Sequence, residues 1–399
     1  MMRLDRIALA SLGALALPLL AAAISAAGCA GTDEDRETAT IDGAASGELD
    51  GGEDGDRARG PSDAGDSGSA SDASDDADAA RDADAGPECT AGGWCYTTLP
   101  ATDAGAMTLT DVWASHDEAW AVSEEGLVLH WKDDAWSIAF DAGVGLRGVR
   151  RDHEGTVWAV GSAGSIFRHA AGASDDAWSP VPAGNTFDLV AICEGATDAT
   201  SPQNLWIAGQ STILMHWTGD GDSSPAWSVT ALGPIEIRGM WCSGTNVWAV
   251  GMEQTSYQSA LYFGSGGDFT KASGLPSTQF ARPYSAVWAS SPSDVWLADI
   301  SKIVHGPGGE PPAWSTYPVG DWYFGSPTDW DFWGDDPSDV WAVGRHGRIY
   351  HYDGTNLQLS PTSIDGVVMT NNLHGISGAS SDDLWVVGDG VALHRKAKN

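Results

Sequence analysis

Basic residues are scarce in this chain. Lys and Arg number 20 against 55 Asp and Glu, a formal net charge of −35 over 399 residues. Affinity for nucleic acid rests largely on cations meeting phosphates, so a nucleic-acid partner is excluded. Catalytic signatures are missing too. No H-E-x-x-H, Walker, G-x-S-x-G or C-x-x-C tract occurs, which leaves hydrolases and nucleotide enzymes without support. Residues 30–88 contain no aromatic and no lysine, and their 19 acids and 4 arginines give a net charge of −15. Such a segment cannot bury enough apolar surface to offset the entropy of ordering it, and a disordered acidic linker is expected. Residues 89–399 differ: they hold all 20 tryptophans, with 35 acids and 14 bases for a net charge of −21. That part can fold.

The first 28 residues read as a signal peptide. Arg3 and Arg6 precede an apolar stretch from Ile7 to Ala27, which ends in Ala26-Ala27-Gly28 just before Cys29. A basic start, an apolar stretch and small residues form the order of a secretory signal. The length of the stretch also suits an uncleaved anchor, but small residues before a lone cysteine favour cleavage. The tract resembles the lipobox of bacterial lipoproteins, with Ala26 where leucine is usual. That resemblance implies a lipid-modified Cys29, and Ala30 after it implies the outer membrane, with the membrane contacted through the lipid alone. Several acyl chains would hold the chain firmly, at about 0.8 kcal/mol per buried CH₂. Residues 29–88 then form a lipid-anchored linker. Runs such as Asp72-Ala73-Ser74-Asp75-Asp76-Ala77-Asp78 suit a solvated spacer better than a calcium site, since isolated carboxylates make poor ligands. A flexible chain of this length spans about 40–45 Å, and self-repulsion extends it.

The folded part is a repeat. A V-W-A-V-G-like unit recurs with its tryptophan at Trp120, Trp158, Trp206, Trp248, Trp296, Trp341 and Trp385, at intervals of 38, 48, 42, 48, 45 and 44. Upstream of it lies a short strand with a small residue inside, as in Leu146-Arg147-Gly148-Val149, Ile237-Arg238-Gly239-Met240 and Leu373-His374-Gly375-Ile376. A turn rich in Ser, Pro, Asp and Asn separates the two, and such side chains can bond their own backbone. A third strand follows, as in Arg348–Tyr352, and a fourth often opens on Trp-Ser, at Trp136, Trp178, Trp227 and Trp314. Four short strands per unit describe a propeller blade. Seven units of about 44 residues need about 310 residues, and 89–399 supplies 311. The seventh unit is one strand short, and Trp94-Cys95-Tyr96 supplies a Trp-initiated strand to close it. The expected fold is an all-β, seven-bladed β-propeller over 89–399, closed by an N-terminal strand so that no long edge stays open.

The lipobox, the acidic linker and the S-x-D-D-V-W-A-V-G repeats together resemble the Trp-rich propeller lipoproteins of myxobacterial type, over nearly the whole chain. The V-W-x-V…G-x-I-x-x tract of each unit also resembles tectonin-type propellers, over about ten residues per blade. The second resemblance implies sugar or lipopolysaccharide binding.

Candidate functional residues are weighed against packing. Six of ten histidines fall in third strands, namely His130, His169, His216, His305, His351 and His394. One site cannot use equivalent positions in six blades around a ring, so architecture is expected of them. Function is better sought where the repeat breaks. Asp111 and Asp331 replace the small first-strand residue that is Gly148, Ala191, Gly239, Ala286 and Gly375 elsewhere, and two carboxylates lining a channel could share a cation or water. Arg147, Arg150, Arg151 and Arg168 crowd into unit two, a candidate contact for an anion or acidic sugar. Trp322, Tyr323 and Phe324 interrupt the repeat beside Gly and Pro, where exposed aromatics suit sugar stacking or protein anchoring.

Four cysteines beyond Cys29 allow three pairings, and an exported chain favours bonding. Cys193 and Cys242 end the first strands of adjacent units near the axis, whereas Cys95 lies on an outermost strand. A disulfide needs Cα atoms within about 7 Å, so Cys89–Cys95 and Cys193–Cys242 are expected. The functional expectation is a monomeric, non-enzymatic surface lipoprotein without cofactor or metal, whose propeller binds a protein or glycan ligand. The alternatives are a lectin-like propeller and a secreted polysaccharide-active glycosidase or lyase.

Overall fold

The computed structural model describes residues 88–103, 105–196, 204–217, 227–276, 283–306, 313–319 and 330–396. Cys29 and the acidic run up to residue 87 lie outside the described residues, as does the segment holding Trp322, Tyr323 and Phe324. The described chain is all-β. Seven four-stranded antiparallel sheets follow one another, six of them meanders of four consecutive strands, with one added hairpin of Ser363–Ile364 and Val367–Val368. These are the seven expected blades.

The first, inner strands are Leu109–Ala114, Leu146–Arg151, Leu189–Glu194, Ile235–Ser243, Ala286–Ser291, Asp331–Asp336 and Leu373–Ser380. Blade 7 takes its fourth strand from the N-terminal side: Trp94–Tyr96 pairs antiparallel with Val391–Lys396, in the register Trp94↔Arg395, Cys95↔His394, Tyr96↔Leu393. Trp94 is fully buried, sits edge-on to Trp341 at 5.5 Å, and donates from Nε1 to Ser360 Oγ at 3.2 Å. Closure therefore uses both backbone pairing and a large apolar anchor.

The second strand of each blade carries the repeat tryptophan. All seven are buried, which explains why the V-W-A-V-G text is invariant in kind: a strand packed on both faces has no polar side to alternate with. In five blades this tryptophan faces a third-strand histidine across the ladder and stacks on it. The pairs are Trp120–His130, Trp206–His216, Trp296–His305, Trp341–His351 and Trp385–His394, with ring centroids 3.8, 4.2, 4.0, 4.0 and 4.1 Å apart. His169 does not belong to this set. Arg168 stands opposite Trp158, and His169, one residue later, turns its Nε2 to Ser174 O at 2.9 Å. Strand residues alternate faces, so one step in register sends the ring to the other side of the sheet. Blade 4 has Phe263 in the equivalent place.

Both disulfides form as expected. Cys89 and Cys95 have Cα atoms 3.9 Å apart, and Cys193 and Cys242 5.6 Å apart. The second bond depends on an offset. Cys193 lies two positions after the small residue of its strand and Cys242 three after its own, so they stand on opposite faces of adjacent blades and meet.

Candidate functional site

The inner strands enclose a central channel of about 710 Å³. It is lined by the residue just before the small position in every blade: Thr110, Arg147, Val190, Arg238, Ser285, Trp330 and His374. In five blades the pairing with the second strand slips at this residue, between Leu109/Asp111, Leu146/Gly148, Leu189/Ala191, Ile237/Gly239 and Leu373/Gly375. Such a bulge leaves one residue out of the ladder and re-aims its side chain. Arg147, Arg238 and His374 thus share one structural place, which the tracts L-R-G-V, I-R-G-M and L-H-G-I encode. Sequence reasoning singled out Arg147 but missed Arg238 and His374, whose common place before Gly was the available signal.

The small position itself is set by the neighbouring blade. A Cβ on Gly239 would stand 2.5 Å from Ser285 O, and one on Gly375 2.9 Å from the Cα of Asp111. Where the position is aspartate, the carboxylate bridges the gap instead. Asp111 Oδ2 accepts from Val149 N of blade 2 at 2.8 Å, and its Oδ1 accepts from Val112 N at 2.8 Å. Asp331 Oδ2 accepts from Ile376 N of blade 7 at 2.8 Å. Both acids line the channel, and both also staple one blade to the next. Burial pushes the Asp111 carboxyl up to about 7, against the pull of its two backbone bonds and of the Arg150 charge. Burial raises Asp331 well above the usual carboxylate range, and the Asp111 charge adds to it. Two carboxyls in one low-dielectric channel cannot both ionise cheaply.

The arginine cluster of blade 2 divides. Arg147 and Arg150 line the channel. Arg151 lies over the Trp113 ring at 5.5 Å, donates from Nε to Gly155 O at 3.4 Å, and places Nη1 3.9 Å from Glu118. Arg168 sits in the third strand, opposite Trp158 and Ser179. Arg238 pairs through Nη2 with Glu236 at 3.0 Å. His374 Nε2 lies 2.8 Å from Asp389 Oδ1. The channel also takes in Trp113, Trp241 and Trp333, each two positions after the small residue of its strand. Among the described residues no group of three His, Cys, Asp or Glu side chains converges as metal ligands.

Four of the five stacked histidines are held by acids that stand near the turn between the first and second strands. His130 Nε2 lies 3.2 Å from Glu118, His305 Nε2 2.6 Å from Asp294, His351 Nε2 2.9 Å from Asp339, and His394 Nε2 2.8 Å from Asp383. Each acid stands two residues before the blade tryptophan, and Glu118 and Asp339 also accept from the Nε1 of Trp120 and Trp341 at 2.8 and 3.0 Å. These rings are engaged in packing and cannot also face a ligand in the channel.

No family model and no curated protein matches the chain. Solved structures of similar fold include YCF48 bound to D1 peptide, at 14% identity and TM-score 0.56, covering 78% of this chain and 98% of that one. YCF48 from Cyanidioschyzon merolae is similar at 16% identity and TM-score 0.54, covering 76% and 98%. The WD40 β-propeller domain of Doa1 is similar at 13% identity and TM-score 0.57, covering 77% and 98%. At these identities the likeness is one of fold, and it agrees with the propeller read from the repeats.

Proposed function

We propose that the chain is a non-catalytic binding propeller, held at the outer membrane by lipid on Cys29 and spaced from it by residues 30–88, that presents the channel-mouth face to a protein partner. The observation that carries this reading is a division of labour. Positions that repeat by blade, the tryptophans with their histidines and acids, are engaged in packing. Positions that differ between blades, Thr110, Arg147, Val190, Arg238, Ser285, Trp330 and His374, all line the central channel. A rigid ring with varied residues at one mouth suits recognition more than turnover. The YCF48 propeller, solved with a peptide bound, is an example of this fold carrying a peptide ligand. In this reading Trp322, Tyr323 and Phe324 add an aromatic anchor to the interface, as aromatics do in interface hot spots.

The membrane part is tested by mass spectrometry of the mature N-terminus, which should show a lipid on Cys29; a terminus at Met1 or a free thiol there contradicts it. The binding part is tested by in-cell cross-linking of the membrane-attached chain. Replacing Trp322, Tyr323 and Phe324 by alanine should leave the melting temperature within a few degrees and abolish the cross-linked protein. A folded variant that keeps its partner contradicts the aromatic anchor, and a wild-type chain that enriches glycans and no protein speaks for the lectin alternative instead.

A further inference from the structure

The residue two positions after the small one faces the next blade, and most of the seven find a partner there. Trp113 lies under Arg151, Cys193 bonds Cys242, and Trp241 donates from Nε1 to Ala289 O at 3.0 Å. The Trp288 ring fills the space that a Cβ on Gly334 would take, and Ser377 Oγ accepts from Ala114 N at 3.0 Å. Arg150 holds this place in blade 2 and breaks the pattern. Its Nε is buried with no hydrogen-bond partner among the described residues. The two carboxylates whose charges reach it, Glu194 and Asp111, are engaged elsewhere. Asp111 accepts from Val112 N and Val149 N at 2.8 Å each, and Glu194 is held by His153 N at 3.1 Å and His153 Nδ1 at 2.6 Å. A buried guanidinium N–H without an acceptor is costly to leave so.

From this geometry we infer that the channel holds a small organic monocarboxylate, gripped by the Arg150 guanidinium with the Asp111 carboxyl beside it, its apolar part among the indoles of Trp113, Trp241 and Trp333. The planar fork of arginine matches a carboxylate bidentately, and the three indoles line the same cavity as Arg150 and Asp111. The site's charge suits a singly charged ligand. Of the other arginines lining the channel, Arg238 is tied to Glu236, and Arg147 stands three residues nearer the start of its strand. Because burial lifts Asp111 to about 7, its protonated form is present near neutral pH and can donate an O–H to the ligand. Ligand and proton then bind together, and affinity falls as pH rises through 7. Among the described residues the other titratable or charged groups lining the channel are Arg147, Arg238, Glu124, Glu236, Asp331 and His374 with its Asp389, so the Asp111 contribution has to be isolated by substitution. The inference stands whether or not a protein occupies the mouth.

Calorimetric titration of the intact chain with benzoate tests it, with acetate and inorganic phosphate as comparison probes. Benzoate is expected to bind one to one and more tightly than either. Arg150→Gln should weaken it about tenfold or more, and Arg150→Lys by less, since a lysine keeps the charge and loses the fork. In the wild-type chain the affinity should fall by up to about tenfold per pH unit above 7, and Asp111→Asn should flatten that slope. Four results overturn the inference: no benzoate binding at about 10 mM, a weak limit in affinity terms; unchanged binding in Arg150→Gln; phosphate preferred over carboxylates; or unfolding of both Arg150 variants, which would make the guanidinium a packing cation.

Discussion

Blade 1 and blade 3 are built on the same stack and differ by one residue beneath it. Trp120 on His130 and Trp206 on His216 overlap at 3.8 and 4.2 Å. In blade 1 the residue two before the tryptophan is Glu118, which bonds both rings. In blade 3 it is Asn204, whose Oδ1 accepts from Trp206 Nε1 at 2.7 Å, and His216 Nε2 has no partner among the described residues. The consequence is opposite titration. Burial alone would lower His130, but hydrogen bonds to Glu118 and Asp175, and their charges, hold it above the usual 6.5. Burial acts unopposed on His216 and lowers it. Geometry is kept, and chemistry differs through the amide in place of Glu118 and through Asp175, which also bonds His130 in blade 1.

The two blades also reach their next neighbours differently. Blade 1 uses the Asp111 carboxylate and Trp113 under Arg151. Blade 3 uses a covalent bond. The inner strand therefore varies its chemistry from blade to blade, while the buried second-strand tryptophan is kept in all seven.

The largest way to challenge the likeness is to remove the stack. Trp120→Ala and Trp206→Ala each delete a nearly fully buried indole, and each should cost about 3–5 kcal/mol. Denaturant melts should show the two losses equal to within about 1 kcal/mol. A much smaller loss for Trp206 would mean that the carboxylate, rather than packing, holds the stack. Next in size is the covalent difference. Replacing Cys193 and Cys242 together by alanine opens a link spanning 49 residues and should cost about 3–4 kcal/mol in the chain-entropy model. Unchanged stability under reducing and oxidising conditions would show that blades 3 and 4 need no bond.

A smaller effect sharpens the contrast in pH. His130 is raised, so its stabilisation is complete below 6.5 and is lost as pH rises through its folded value. Glu118 is lowered, chiefly by its bond to His130, so its contribution is complete above 4.5 and is lost as pH falls through its folded value. The clamp of blade 1 is therefore strongest between about pH 4.5 and 6.5. Glu118→Gln should remove that maximum from a plot of melting temperature against pH. A curve of unchanged shape would place the pH dependence elsewhere.

Much of this was legible in the sequence because it rests on periodicity. The seven tryptophans, the four strands per unit and the closing strand follow from spacing, and both disulfides follow once the blades are placed around the ring. Register was not legible. His169 reads like its five counterparts, yet one step along the strand turns it to Ser174. The linear text sets Arg147, Arg150 and Arg151 within five residues of one another; only alternation and the bulge separate the first two, in the channel, from the third. Arg150 gains meaning from what its counterparts do in other blades, and that comparison exists only once the ring is closed.

If the recurring Trp–His pairs are architecture tuned by the residue two places before the tryptophan, the direct test is an NMR titration of the histidine ring protons in the wild-type chain and in Asn204→Asp. His130 should titrate above 6.5 and His216 below it, and Asn204→Asp should carry His216 to the upper side. Equal values for the two histidines, or a His216 that stays low beside a new aspartate, would contradict it.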